Sequence, residues 1–133
     1  MKKNVRIIAI VLALVIISAL FAGCSVKSRI VGRWSVDKKS METVLGSEIP
    51  DNMDISIIYN FNKNGTGKWI GYENNKKVIE QKFYWKMNGN KLFVKYDADS
   101  EYTDSYSLVT IRGKKLTLKN KDIDTVISFT RSN

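Results

Sequence analysis

The chain has no histidine among its 133 residues. That removes the imidazole on which Ser-His-Asp and Cys-His mechanisms depend, and a usual zinc ligand with it. There is one cysteine, Cys24, so no internal disulfide can brace the fold. Acids are scarce beside bases, 13 Asp and Glu against 22 Lys and Arg, for a formal charge of +9. The one acidic cluster is Asp97-Ala98-Asp99-Ser100-Glu101, with Asp104 beyond it. A calcium loop needs converging oxygens and, in its helix-loop-helix form, a glycine at the sharp turn. This stretch has no glycine and reads as a solvated loop. Nothing in the carboxylate spacing singles out a glycosidase-type pair. No catalytic residue, metal or cofactor is implied, and the expectation is a protein that is not an enzyme.

What is present begins at the amino terminus. Lys2, Lys3 and Arg6 precede an apolar run from 7 to 22, broken only by Ser18. The small pair Ala22-Gly23 then stands directly before Cys24. A basic start, an apolar centre and small residues before a cut describe a secretory leader. This segment resembles the bacterial lipoprotein signal, whose cysteine receives a diacylglycerol at sulfur and becomes the first residue after cleavage. Phe21 stands where that family usually has leucine, and Leu20 lies one residue further back. The resemblance implies a leader over 1–23, lipidation of Cys24, and a place on the outer face of the bacterial cytoplasmic membrane. Two acyl chains suffice for stable anchoring. An uncleaved helix is the competing reading, although spanning a bilayer takes about 20 apolar residues; free secretion is a third. A leftover thiol in an exported protein would otherwise be unexplained.

Residues 25–29 form a polar tether, reaching roughly 17 Å if extended. It keeps Lys27 and Arg29 near anionic headgroups. A basic surface suits anionic partners such as headgroups, wall polymers or acidic ligands, and equally serves plain solubility. Every aromatic except Phe21 lies downstream of Cys24, so the rings supply much of the core of one small domain, 30–133.

Eight strand signals follow from Ile30 onward, separated by Asn, Gly and Asp clusters. The first covers 30–36, with Ile30, Gly32, Trp34 and Val36 on one face. Residues 37–54 are irregular, but Met41, Val44 and Leu45 sit at helical spacing with Gly46 as a stop, so a short helix or lid is expected. Pro50-Asp51-Asn52 ends it as a turn. Residues 55–62 alternate cleanly. The turn 62–65 pairs Asn62 with Thr66, Phe61 with Gly67 and Tyr59 with Trp69. Strands over 78–87 and 92–96 flank Asn88-Gly89, a preferred two-residue turn. That turn would pair Trp85 with Leu92, Phe83 with Val94 and Gln81 with Tyr96.

Residues 102–111 are ambiguous, with Tyr106 and Leu108 on one face and Val109 and Ile111 on the other. Arg112-Gly113 turns into 115–119, and the last strand covers 123–130. Residues 87–94 and 111–118 share the pattern apolar, x, Gly, x, Lys, Leu, x, apolar, the mark of a repeated hairpin. Eight consecutive strands predict an all-β, antiparallel, up-and-down barrel, because closure removes both sheet edges.

Three motifs carry a resemblance: Gly32-Arg33-Trp34, the stretch 61–67 (FNKNGTG), and Trp85 before Asn88-Gly89. They resemble small lipocalin-like lipoproteins of Gram-positive bacteria, many of unassigned function, over nearly all of 30–130. The resemblance implies that Trp34, after Gly32, closes the barrel floor. A basic residue of the last strand, Arg131, would pack over it by a cation–π contact.

Tyr59, Trp69, Phe83, Trp85 and Tyr96 are the expected inward aromatics. Either they line an apolar ligand pocket or they simply fill the barrel. Lys82-Phe83-Tyr84-Trp85-Lys86 mixes basic and aromatic residues as single-strand nucleic-acid platforms do, but strand alternation explains the spacing and no nucleic-acid partner is expected. Two functional readings stand. The first is an anchored barrel binding a small apolar or amphipathic ligand under a 37–54 lid. The second is an interaction or immunity module whose outer face meets an envelope protein or peptide.

Overall fold

The computed structural model describes residues 26–102, 105–122 and 124–132. The expected leader, residues 1–23, and Cys24 lie outside the described residues. Eight antiparallel strands close in sequence order into an up-and-down barrel. They are β1 (Gly32–Val36), β2 (Ile55–Phe61), β3 (Thr66–Glu73), β4 (Lys76–Asn88), β5 (Lys91–Lys95), β6 (Ser107–Arg112), β7 (Lys115–Asn120) and β8 (Val126–Ser132). The ring closes where Trp34 of β1 faces Arg131 of β8.

Alternation puts one side chain in two into the lumen. Trp34, Val36, Ile57, Phe61, Phe83 and Trp85 are all buried there, as are Leu92, Val109, Leu116 and Phe129. Each such burial is worth about 1.5–3 kcal/mol. In β6 the structure turns Val109 inward and leaves Leu108 exposed, so the strand is single-sided and begins at Ser107 rather than 102.

The helix Lys38–Leu45 follows β1 and stops at Gly46, whose φ of 72° lets its N–H reach the Glu42 carbonyl. Met41 is buried in the core. Ser40 Oγ accepts from the Ser128 N–H at 2.8 Å. Asp37, at the helix start, accepts from Thr130 Oγ1 at 2.6 Å and from Lys115 Nζ at 2.9 Å. Burial pushes its carboxyl up, but the Thr130 hydrogen bond and the Lys115 contact outweigh it and hold the group below its ordinary value. These contacts strap the helix across β7 and β8.

Three expectations need correction. The tether is not extended, because residues 26–30 are helical and pack against the barrel end. The β4–β5 register differs by two residues: Trp85 pairs with Val94, Met87 with Leu92 and Asn88 with Lys91. The turn is therefore Gly89-Asn90. Gly89 takes a φ of 62°, the left-handed conformation that glycine adopts without a Cβ penalty, at the first loop position. Gly113 does the same in the β6–β7 turn, with φ 58° and Arg112 paired to Lys115, so the repeated hairpin pattern is one loop geometry used twice. Third, closure does not remove every edge. β5 has five residues against thirteen in β4. Residues 76–82, with Val78 the extra residue of a bulge, pair with β3 but not with β5, and Val78 and Ile79 are 61% and 49% exposed.

The β2–β3 register is as expected, with Phe61 opposite Gly67 and Tyr59 opposite Trp69. Gly67 is a close-approach position: a Cβ there would lie 2.5 Å from both the Asn60 carbonyl oxygen and the Phe83 ring. Gly67→Ala should therefore lose about 1–3 kcal/mol by overpacking, read as a lower urea midpoint with unchanged slope. A midpoint equal to the parent's would show that the wall yields freely at this point.

Candidate functional site

The barrel has a closed end and an open one. At the closed end Trp34 is fully buried and its Nε1 donates to the Ile30 carbonyl at 2.8 Å. The Arg131 guanidinium carbon lies 4.2 Å from the centre of the Trp34 ring. Its Nη1 donates to the Val31 carbonyl at 3.1 Å, and Nη2 donates to the Arg29 carbonyl. A Cβ on Gly32 would sit 2.6 Å from Nη1, so the glycine leaves the guanidinium its place. Arg29 in turn donates to the Ile111 carbonyl at 3.0 Å. Helix 26–30, β1, β6 and β8 thus meet through two cations, Arg131 and Arg29.

Above the floor the lumen is filled with rings. Trp85 is buried, and its Nε1 donates to the Thr66 and Asn62 carbonyls at 2.9 and 3.1 Å. Its ring meets Phe61 edge-on at 5.5 Å, and Phe61 meets Phe83 at 5.4 Å. Tyr59 sits at the top of this column, within 5.3–6.4 Å of Phe129, Phe83, Phe61 and Trp69. Burial pushes the Tyr59 hydroxyl up to about 12, and the neighbouring Tyr96 hydroxyl adds to the shift.

Over Tyr59 the lumen is hollow. A cavity of about 280 Å³ has Tyr59, Phe61, Phe83, Leu92, Val94, Leu118 and Ile127 among its walls. Its rim carries Tyr96, Ser105, Tyr106, Ser107 and Asn120. The cavity opens because the β5–β6 seam is short, with register pairs only at Lys91↔Leu108 and Leu92↔Ser107. Beyond them the two strands diverge.

Of the five aromatics expected in a pocket, Tyr59 and Phe83 line this cavity and Tyr96 stands at its mouth, 60% exposed. Trp69 is half-buried beside Tyr59, and Trp85 is fixed near the floor; neither lines the cavity. Leu92 and Val94 were legible as inward from alternation. Asn120 and Ser105 were not, since their places depend on how far the seam opens. A separate cavity of about 250 Å³ lies beneath the 37–54 segment, walled by Val36, Met41, Ile49, Met53 and Ile55. None of the five aromatics reaches it. The acidic loop is organised locally: Asp97 caps the Asp99 N–H at 3.0 Å, and Lys95 Nζ donates to the Ala98 and Ser100 carbonyls. Among the described residues no group of three candidate ligands could hold a metal ion.

No protein-family model matches the chain, and no curated protein matches it. Among solved structures it is similar to the crystal structure of Echinococcus granulosus fatty-acid-binding protein 1, at a TM-score of 0.39 and 13% identity. The likeness covers 78% of this chain and 98% of that one. The barrel itself rests on this chain's own strand pairing.

Two outcomes follow from this geometry. Arg131→Ala removes the cation that bonds to the Arg29 and Val31 carbonyls, at a cost of about 2–3 kcal/mol. Amide exchange over 26–31 should accelerate more than exchange over the β2–β3 hairpin, and equal acceleration would deny the floor a local role. The Tyr59 hydroxyl titrates at 10.0 when unperturbed and about 12 in the barrel. Between those values the unfolded chain has lost its proton and the folded chain has kept it. Stability that is complete below the lower value is therefore lost as pH rises towards the upper, by about 2–3 kcal/mol. Urea midpoints across that window should fall less in Tyr59→Phe than in the parent.

Proposed function

We propose that this chain is an exported lipoprotein, tied to the outer face of the bacterial cytoplasmic membrane through Cys24, whose barrel holds a small apolar or amphipathic ligand and catalyses no reaction. The cavity over Tyr59 carries this reading. Its walls are aromatic and aliphatic, and its rim is hydroxyl and amide. That division suits a molecule with an apolar body and a polar end. At about 280 Å³ the space sits near the lower end of small-molecule sites, about 300–1,000 Å³. A compact ligand, or the end of a longer one, fits it better than a whole long chain. The leader and the single cysteine support the anchor. The absence of histidine supports binding without catalysis.

A second reading has its own observation. Residues 76–82 offer an unpaired strand edge with Val78 and Ile79 exposed. An extended segment of an envelope protein or peptide could add there as a further strand.

Native mass spectrometry of the protein released from its own membrane separates the two readings. A bound small molecule is expected, and Val94→Trp should abolish it by filling the cavity while circular dichroism stays that of the parent. A bare parent protein, or a bound mass indifferent to Val94→Trp, would overturn the carrier reading.

A further inference from the structure

The acids of this chain are unevenly placed by the topology. The turns 62–65, 89–90 and 113–114 lie at the closed end together with helix 26–30. None of the 13 acidic residues falls in 26–35, 60–67, 86–92, 110–114 or 131–132, the segments that build that end. Lys27, Arg29, Lys63, Arg112 and Lys114 are all exposed there. None of these five takes part in the four ion pairs among the described residues. Lys27 and Lys63 border the same cleft although they come from separate elements. The chain also leaves through this end. Val26 packs against the core, and Cys24 is only two residues earlier, a reach of about 7 Å. A membrane holding Cys24 would therefore face the end of the barrel that carries these five cations.

We infer that the closed end is a docking face for an anionic lipid surface, which holds the barrel upright with its cavity mouth turned away from the membrane. The inference rests on the anchored reading but not on any ligand. An anchor alone leaves the domain free to tumble. Five unpaired cations around the anchoring point favour one orientation, because the acid-bearing connections at the other end are repelled by the same surface. The cavity then faces the envelope, where a ligand can enter without crossing the headgroups.

The test uses the full chain, purified acylated from membranes and reconstituted into vesicles of phosphatidylglycerol or of phosphatidylcholine. A fluorophore is attached at Asn90→Cys, in a closed-end turn, or at Glu48→Cys, in the 37–54 segment. Lipids with a headgroup nitroxide act as quencher. In phosphatidylglycerol the Asn90 probe should be quenched far more than the Glu48 probe. The difference should collapse in phosphatidylcholine, and also in about 1 M salt, where screening acts over about 3 Å. The combined variant Lys27→Gln, Lys63→Gln, Lys114→Gln should weaken the preference by about fivefold per charge removed. Equal quenching at the two positions in phosphatidylglycerol, or a difference indifferent to lipid charge, would overturn the proposal. So would closed-end amides that respond to soluble poly(glycerol phosphate) but not to phosphatidylglycerol, since the face would then belong to a wall polymer. Acylation is read from mass and cavity occupancy from native mass spectrometry, so failure of the docking face is distinguishable from failure of either.

Discussion

The contact of Arg131 with Trp34 is the point on which the rest of this barrel turns. An up-and-down barrel is open until its last strand returns to its first, and that closing pair has the largest sequence separation in the molecule. Here the closing pair also carries the cation–π contact at 4.2 Å and hydrogen bonds to the carbonyls before Gly32. One planar guanidinium therefore satisfies backbone groups of helix 26–30 and covers a fully buried indole. Its fork geometry makes this possible, and a lysine ammonium has no such fork. Because the floor is sealed there, the lumen can open only at the other end.

Filling proceeds upward from that seal. Trp85, Phe61, Phe83 and Tyr59 occupy the lower and middle lumen, each in ring contact with the next. The column ends where β5 runs out and the β5–β6 seam parts. Core and cavity are thus two parts of one lumen, divided by the length of a single short strand. The exposed edge of β4 has the same cause, since the partner that would cover residues 76–82 is missing for that length.

Much of this was legible from residues alone, and the failures are physically specific. The β2–β3 register could be read because the loop 62–65 fixes the count. Asn62 N donates to the Thr66 carbonyl, and Asn64 Oδ1 accepts from the Thr66 N–H and hydroxyl. The pattern cannot fix the β4–β5 register to better than two residues, because a shift of two leaves every side chain on the same face. Hydrophobic alternation cannot detect it, and only the conformation of Gly89 decides which pair forms the turn. Alternation puts Trp69 and Trp85 on the inward face, yet a face does not give height along the axis. The stagger of the strands sets that height, and it carried both indoles away from the cavity. Residues 25–29 are polar enough to suggest a loose tether, and nothing local reveals that Arg131 and Ile111 wait to bind Arg29 in the helix 26–30.

The order of residues along the chain was enough to determine the strand count, the inward faces, the hairpin sequence and the basic excess, because each depends on near neighbours and on a period of two. Only the closed barrel decided where those features meet. It brought residues 27, 63, 112 and 114 to one end, and set residues 59, 94 and 120 around one hollow. The physical reason is that strand stagger and ring closure relate positions far apart in the chain, and no local pattern records that relation.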